Sequence, residues 1–227
     1  MRNCIANGAK CMAAVIIAIS VAVCVGWIID HETIKRVCDG WVSMKVPTAF
    51  CFALIGLMLF VMSDDMVRFS FRKELTVSFL SLMVLGVVGL ETISALVPSL
   101  DLSIANVPAA DIFTVKPGLP SLAGLFGLLV SSCAGLAFVF NTVRWRRRVM
   151  MCGATLMMIG GIAVVGYVLR VPALFYFVPC VSTGMAIHSA ALMIMAGAAF
   201  VIISRSKADR SHPVICFKER NADCLAN

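Results

Sequence analysis

Six long apolar runs alternate with short polar segments, and they constrain the fold more than any other feature of the chain. The runs cover about residues 11–29, 46–62, 75–97, 119–140, 149–169 and 184–204. A helix needs about 20 consecutive, mostly apolar residues to cross a bilayer. Backbone groups in lipid must be hydrogen-bonded within the protein, which a helix achieves by itself. The sequence therefore predicts an all-α, polytopic membrane bundle of six transmembrane helices.

Composition supports a membrane protein. Of the 227 residues, 61% are hydrophobic and 14% are charged, whereas soluble domains have about 45–50% apolar and about 25% charged residues. The net charge of +7 lies mainly in the short segments between the runs. Charges placed there set membrane topology, so we expect the lipid bilayer, and not nucleic acid, as a partner.

Lysine and arginine are unevenly divided between the alternate polar segments. Fourteen of the 19 lie in residues 1–10, 63–74, 141–148 and 205–227, and five lie in the other segments. The positive-inside rule then predicts that both termini are cytoplasmic. We expect residues 1–10 to be a cytoplasmic N-terminus, 11–204 the membrane domain with its first run retained as a signal anchor, and 205–227 a cytoplasmic polar tail.

A block at the start of the second run returns at the start of the sixth. Residues 44–60 read MKVPTAFCFALIGLMLF and residues 185–200 read MAIHSAALMIMAGAAF. The matching pairs are Met44 with Met185, Pro47 with His188, Thr48 with Ser189, Ala49 with Ala190 and Gly56 with Gly197. A weaker third block begins at Pro120-Ser121. This internal repeat predicts three helix hairpins with the same direction in the membrane.

Glu91 is the only acidic residue within a predicted transmembrane run. Burying such a group in a membrane is costly, so by default it indicates a functional site. It lies about 9 Å from the external end of its helix at 1.5 Å per residue, and His188 lies at a similar depth. Thr48, Thr92 and Ser189 are predicted in the same layer. The layer is either a ligand-binding pocket open to the outside or a hydrogen-bonded pair that holds helices together.

Two other groups of residues are candidates for weaker roles. Arg144, Arg146, Arg147 and Arg148 form a basic turn that either contacts anionic lipid or an acidic partner, or only determines topology. Cys38 and Cys180 both fall in external segments, where a disulfide is possible in an oxidising compartment. The other cysteines show neither a C-x-x-C motif nor metal-ligand spacing, so no metal site is predicted.

Several activities do not fit the sequence. A membrane haem usually needs two axial histidines, and His188 is the only histidine within a run. No run contains a lysine that could carry a retinal Schiff base. The central layers are almost wholly apolar, which disfavours an ion path. Motifs of soluble enzymes are missing as well, so the sequence predicts a non-enzymatic protein without a cofactor.

The stretch VSMKVPTAFCFALIGLMLF, residues 42–60, resembles the S-M-x-P-N-T-A-L-C-F-L-L-x-G-L block of certain bacterial multi-helix membrane input domains. Such domains precede PAS, histidine-kinase or diguanylate-cyclase modules. The resemblance covers about residues 25–203, although the motif's asparagine is replaced here. It implies a signal-input domain in the bacterial inner membrane, and it implies a separate protein partner because no output motif follows. The alternatives are an accessory or structural subunit of a larger membrane complex and, with less support, a small transporter.

Overall fold

The computed structural model describes residues 2–36, 41–64, 71–96, 120–140, 144–176 and 183–206, with side chains described from residue 7 onwards except at residue 95. These residues form eight helices and no strand. The helices are α1 (Arg2–Ile28), α2 (Glu32–Lys35), α3 (Val46–Ser63), α4 (Phe71–Leu96), α5 (Leu122–Val139), α6 (Trp145–Val168), α7 (Ala173–Tyr176) and α8 (Ile187–Ser206).

Six of the described helices are long and apolar enough to cross a membrane, namely α1, α3, α4, α5, α6 and α8. The predicted fold class, an all-α bundle of six transmembrane helices, is confirmed. The boundaries differ where charged residues begin a helix: α4 starts at Phe71 and α6 at Trp145, about four residues before the predicted starts. Hydropathy does not detect these first turns because their arginines and lysines are helical but polar. Conversely, α8 starts only at Ile187, since residues 183–186 lie outside the helix.

The spanning helices form three antiparallel hairpins, α1 with α3, α4 with α5, and α6 with α8. The second helices of the three hairpins, α3, α5 and α8, contact one another and are the central helices. The first helices, α1, α4 and α6, are peripheral, and a larger share of each is exposed. Each peripheral helix contacts its own partner and one other central helix: α1 contacts α8, α4 contacts α3, and α6 contacts α5.

Contacts at the helix ends show how the hairpins align. Lys10 in α1 forms an ion pair with Asp64 after α3, with 2.9 Å between Nζ and Oδ1. The ammonium of Lys73 in α4 donates to the Asp64 backbone carbonyl. Arg146 in α6 donates from Nε to the Ser204 carbonyl of α8 at 3.3 Å. We call the end of the bundle where these contacts lie the basic end. The opposite end, where residues 29–45 connect α1 to α3 and residues 169–186 connect α6 to α8, is the link end.

The links of the first and third hairpins have matching backbone contacts. Each leaves its helix through a residue with φ of 55°, Asp30 and Arg170. The next amide donates at 2.9 Å to a glycine carbonyl in the preceding helix, Gly26 in the first link and Gly166 in the third. A short helix follows, and its carbonyl accepts from the amide of Met44 or Met185 at 3.1 and 2.9 Å. A side chain added at either glycine would collide with that short helix.

The middle of the bundle is more polar than the sequence predicts. Ser81, Ser131 and Ser132 are buried among the apolar side chains of α4 and α5. Ser132 Oγ donates to the Ser81 carbonyl at 2.7 Å, and Ser81 Oγ contacts the Met58 sulfur at 3.2 Å. Ser131 Oγ donates to the Gly127 carbonyl within its own helix. Ser81 and Ser132 therefore link α4 to α3 and α5, whereas Ser131 is satisfied within α5.

Candidate functional site: a buried polar layer at the link end

Buried polar side chains are concentrated at the link end. The nine that lie there are Lys35, Ser43, Lys45, Thr48, Glu91, Ser94, Ser121, Thr183 and Ser189. At the basic end the corresponding described residues are Ser63 and Ser204, and both hydroxyls donate to carbonyls of their own helices. Burying polar groups costs free energy unless they are paired. We call these nine side chains at the link end the polar layer. Their burial therefore needs a functional or structural reason.

Glu91 lies at the contact between α4 and α3 and is only 1% exposed. Its carboxyl group is close enough to the Cys51 thiol of α3 for the two to interact electrostatically. One turn further along the same buried face, Ser94 Oγ is buried without a hydrogen-bond partner among the described residues. Because α3 and α4 are antiparallel, Thr48 lies one turn from Cys51 in the corresponding direction. The structure therefore places Glu91 inside the protein, next to α3.

Thr48 and Ser189 occupy the first turns of α3 and α8, which are adjacent central helices. Each residue is 4% exposed. Lys45, the N-cap of α3, is 5% exposed, and its ammonium lies 3.3 Å from Ser43 Oγ. The polar layer thus contains both a buried cation and a buried carboxyl group. A site with such charges can orient a small polar ligand.

The structure does not join Glu91 to His188 through the histidine's Nδ1. That nitrogen is buried and has no hydrogen-bond partner among the described residues. His188 is half-buried in α8, which packs against α1, α3, α5 and α6, whereas α4 packs against α3 and α5. Similar depth along their helices therefore did not pair the Glu91 carboxyl with this nitrogen; α4 and α8 each pack against α3 and α5.

Thr92 is separated from the polar layer. It lies on the exposed face of α4, and its hydroxyl donates to the Val88 carbonyl of the same helix at 2.7 Å. A helix turns 100° per residue, so the neighbour of a buried Glu91 points away from it. The prediction rested on depth along the helix, whereas the structure places the Thr92 side chain on the exposed face.

Charged side chains surround α2 at the link end. Lys35 donates to the carboxylates of Asp30 and Glu32 and lies over the Trp27 ring, 4.7 Å from its centroid. These hydrogen bonds hold the pKa of the Asp30 and Glu32 carboxyls below their ordinary values. The hydrogen bond to Asp30 raises the pKa of Lys35. Arg36 also pairs with Glu32. Ion pairs among these residues therefore stabilise the conformation of the first link.

The basic turn has one member with a clear structural role. Arg146 is half-buried and donates to the carbonyl of Ser204, which neutralises part of the negative end of α8. Arg144, Arg147 and Arg148 are exposed. Cys38 and Cys180 lie outside the described residues, as do residues 207–227 of the tail, so the disulfide and the cytoplasmic tail stay predictions. Among the described residues, no group of three or more His, Cys, Asp or Glu side chains could hold a metal ion.

The polar layer includes residues that sequence reasoning did not select. Lys35 and Lys45 fall in a segment that reads as an ordinary polar link, yet both are buried. Ser94 and Ser121 are single hydroxyls near helix ends, a position where serine is common in any membrane protein. The one usable signal was Ser121, which aligns with Thr48 and Ser189 in the repeated block.

The fold defines the chain as a polytopic membrane protein with a buried polar layer at one end. Comparison with known protein families, with curated protein sequences and with solved structures finds no match to it.

Proposed function

We propose that the protein is a non-enzymatic membrane sensory domain that binds a small polar ligand in the polar layer and signals through a protein partner. The observation that carries the proposal is the burial of two ionisable side chains, Glu91 and Lys45, at one end of the bundle. Ionisable groups inside a membrane domain mark functional sites by default. The resemblance of residues 42–60 to bacterial input domains supports sensing over catalysis.

The proposal includes a place and an orientation. The protein lies in a bacterial inner membrane with both termini in the cytoplasm, so the polar layer faces outside. The excess of Lys and Arg at the basic end supports this orientation. Labelling intact cells with an impermeant thiol reagent should modify Cys38 in the first link but not Cys216 in the tail. Labelling of Cys216 from outside would contradict the orientation.

The matching links support a further part of the proposal, that the first and third hairpins derive from one internal repeat. Met44 aligns with Met185 both in sequence and in backbone hydrogen bonding. Superposing the two hairpins on these residues should also bring Gly56 onto Gly197. An experimental structure in which α3 and α8 start at opposite membrane faces would refute it.

Replacing Glu91 by Gln tests the ligand site, because the variant removes the charge and keeps the shape. The purified protein in nanodiscs is screened by thermal shift against small carboxylates, amines and sugars. A ligand site predicts a wild-type hit that Glu91→Gln loses, with normal membrane abundance and an unchanged Tm without ligand. A purely structural role predicts a lower abundance and a lower Tm instead. Glu74→Gln, in the first turn of α4 at the basic end, is the matched control and should retain the hit.

One observation favours the second candidate, an accessory subunit of a larger membrane complex. Gly86 and Gly89 in α4 have open space where a side chain would be, and small residues allow close approach of another helix. Mass spectrometry of proteins that copurify with the chain distinguishes the two functions. A kinase or cyclase supports sensing, whereas a stoichiometric multi-subunit assembly that Gly86→Leu disrupts supports the subunit.

A further inference from the structure

Three arginines at the start of α6 share one exposed face. Arg144, Arg147 and Arg148 are all exposed, and positions three and four apart lie on the same side of a helix. Met151 continues that face and is 57% exposed. We call Arg144, Arg147 and Arg148 the arginine face. At the end of a membrane-spanning helix, a cluster of positive charge is therefore directly adjacent to apolar surface.

Elsewhere in the described chain, most cations at the helix ends are matched by an acid or a carbonyl. Lys10 pairs with Asp64, and Lys35 pairs with Asp30 and Glu32. Arg146 donates to the Ser204 carbonyl. Among the described residues no acidic side chain pairs with the arginine face, and the first turn of α6 contains no acid. Three guanidinium groups at this spacing repel one another, so an anion from outside the chain would stabilise them.

The opposite side of the same turn is fixed by packing. Trp145 is 7% exposed, and its ring meets Phe138 of α5 edge-to-face, with 5.3 Å between the centroids. Val149, one turn later, is fully buried. The arginine face is therefore held outward by the core and cannot rotate toward the protein. Since α6 spans the membrane from this turn, the arginine face lies at the level of the lipid headgroups.

We infer that the arginine face binds the headgroup of an anionic phospholipid, with the acyl chains lying along Met151 and Met158. Guanidinium groups recognise phosphate through paired, charge-assisted hydrogen bonds. Met158 is 62% exposed and lies two turns beyond Met151 on the same side. The adjoining apolar surface favours a lipid over a free phosphate or an acidic peptide, because only a lipid also fills the apolar part of the face.

Native mass spectrometry of the purified protein tests the inference with phosphatidylglycerol and phosphatidylcholine as probes. The wild type should retain phosphatidylglycerol in preference to phosphatidylcholine, and added phosphatidylglycerol should raise its Tm. The double variant Arg147→Gln, Arg148→Gln should weaken phosphatidylglycerol binding by roughly fivefold per arginine, since each contributes about 1 kcal/mol near an anionic surface. Purified protein is used because its binding no longer depends on membrane orientation.

Controls keep the result specific to this face. Arg72→Gln removes an exposed arginine from the first turn of α4 at the same end and should leave phosphatidylglycerol binding unchanged. Arg147→Lys, Arg148→Lys retains the charge and should retain most of the binding. Equal retention of the two lipids by the wild type, or equal retention of phosphatidylglycerol by the wild type and the Gln variant, would overturn the inference. An equal rise in Tm with inorganic phosphate or an acidic peptide in phosphatidylcholine would also overturn it.

Discussion

The described parts of the links in the first and third hairpins make the same backbone contacts but differ in their side chains. In the first link, Trp27 Nε1 donates to the Met44 carbonyl at 2.8 Å, and Lys35 covers the indole ring. In the third, the Tyr167 hydroxyl donates to the Met185 carbonyl at 2.8 Å, and Phe175 stacks on the phenol ring with 4.4 Å between centroids. In both links, a hydrogen bond from an aromatic side chain holds the methionine that precedes the second helix of the hairpin.

The difference lies in what holds the aromatic donor. Lys35 is fixed by hydrogen bonds to two carboxylates that are themselves well exposed to solvent. Phe175 contacts two aromatic rings, since the Tyr176 ring also lies 5.0 Å from it between centroids. Exposed ion pairs contribute little and depend on pH and salt, whereas stacked rings depend on neither. Each link thus has an aromatic hydrogen-bond donor and a second side chain that covers its ring, and the covering side chain is a cation in one link and an aromatic ring in the other.

The largest expected difference between the first and third hairpins is the loss of stability when the glycine at the helix crossing is replaced. A Cβ atom at Gly197 would lie 2.5 Å from the Gly153 carbonyl oxygen and 3.0 Å from the Met157 amide nitrogen, both backbone atoms. At Gly56 the nearest atom is Cγ1 of Ile17, a side chain that can reorient. We expect Gly197→Ala to lower the free energy of unfolding by about 1–3 kcal/mol, and Gly56→Ala to lower it less.

The Tm of both glycine variants, purified in the same detergent, measures this difference. A larger loss for Gly56→Ala than for Gly197→Ala would show that the first hairpin, and not the third, has the tighter crossing.

Removing the aromatic donors tests whether the two links share one requirement. Tyr167→Phe deletes only the hydroxyl that reaches Met185, and we expect a loss of about 0.5–1.5 kcal/mol. Trp27→Phe also shrinks the ring beneath Lys35, so its loss should be larger. Trp27→Tyr places a hydroxyl donor, as in the third link, at this position. It should therefore lose less stability than Trp27→Phe. Urea or thermal unfolding in nanodiscs measures all three, and a fully stable Tyr167→Phe would remove the donor from the comparison.

Replacing the covers should separate charge from stacking. Phe175→Leu removes an aromatic pair worth about 0.5–1.5 kcal/mol beyond its buried area. Lys35→Met keeps the apolar stem and loses pairs with exposed carboxylates, which typically contribute about 0–1 kcal/mol. We therefore expect a greater fall in Tm for Phe175→Leu. The reverse order would mean that the charge network is stronger than its exposure suggests.

The smallest expected effect is a pH dependence confined to the first link. Lys35 lowers the pKa of Asp30 and Glu32 from ordinary values of 3.8 and 4.5, so their contribution is present above those values and is lost as the pH falls through the lowered ones. The pKa of Lys35 is raised from 10.5, so its contribution is complete below 10.5 and is lost above it. Between these limits the first link is fully held.

Amide hydrogen exchange measures this effect locally. In strong acid the Met44 amide should lose protection relative to the Met185 amide, whose link contains no such carboxylates. Asp30→Asn combined with Glu32→Gln should abolish the difference. An equal loss of protection at both amides would show that acid acts on the whole bundle instead.

The sequence predicted a membrane protein, the number of its spanning helices and their pairing into hairpins. Long apolar runs have few folded solutions in lipid, and short links leave consecutive helices antiparallel. The repeated block also placed Thr48 and Ser189 at equivalent helix starts, where the structure finds both buried. These features follow from local composition and order along the chain, which a single sequence contains in full.

Only the tertiary structure decided which side chains meet. Helices α3, α5 and α8 became central because each packs against the others, and nothing in their similar hydropathy distinguishes them from the peripheral helices. Depth along a helix placed Glu91, Thr92 and His188 in one layer, but rotation about the helix axis turned Thr92 outward and set Glu91 against α3. Lys35 and Lys45 are buried at the two ends of the first link, where the Met44 amide donates to the Lys35 carbonyl. Burial depends on which faces pack together, and that is a property of the assembled bundle and not of any one segment.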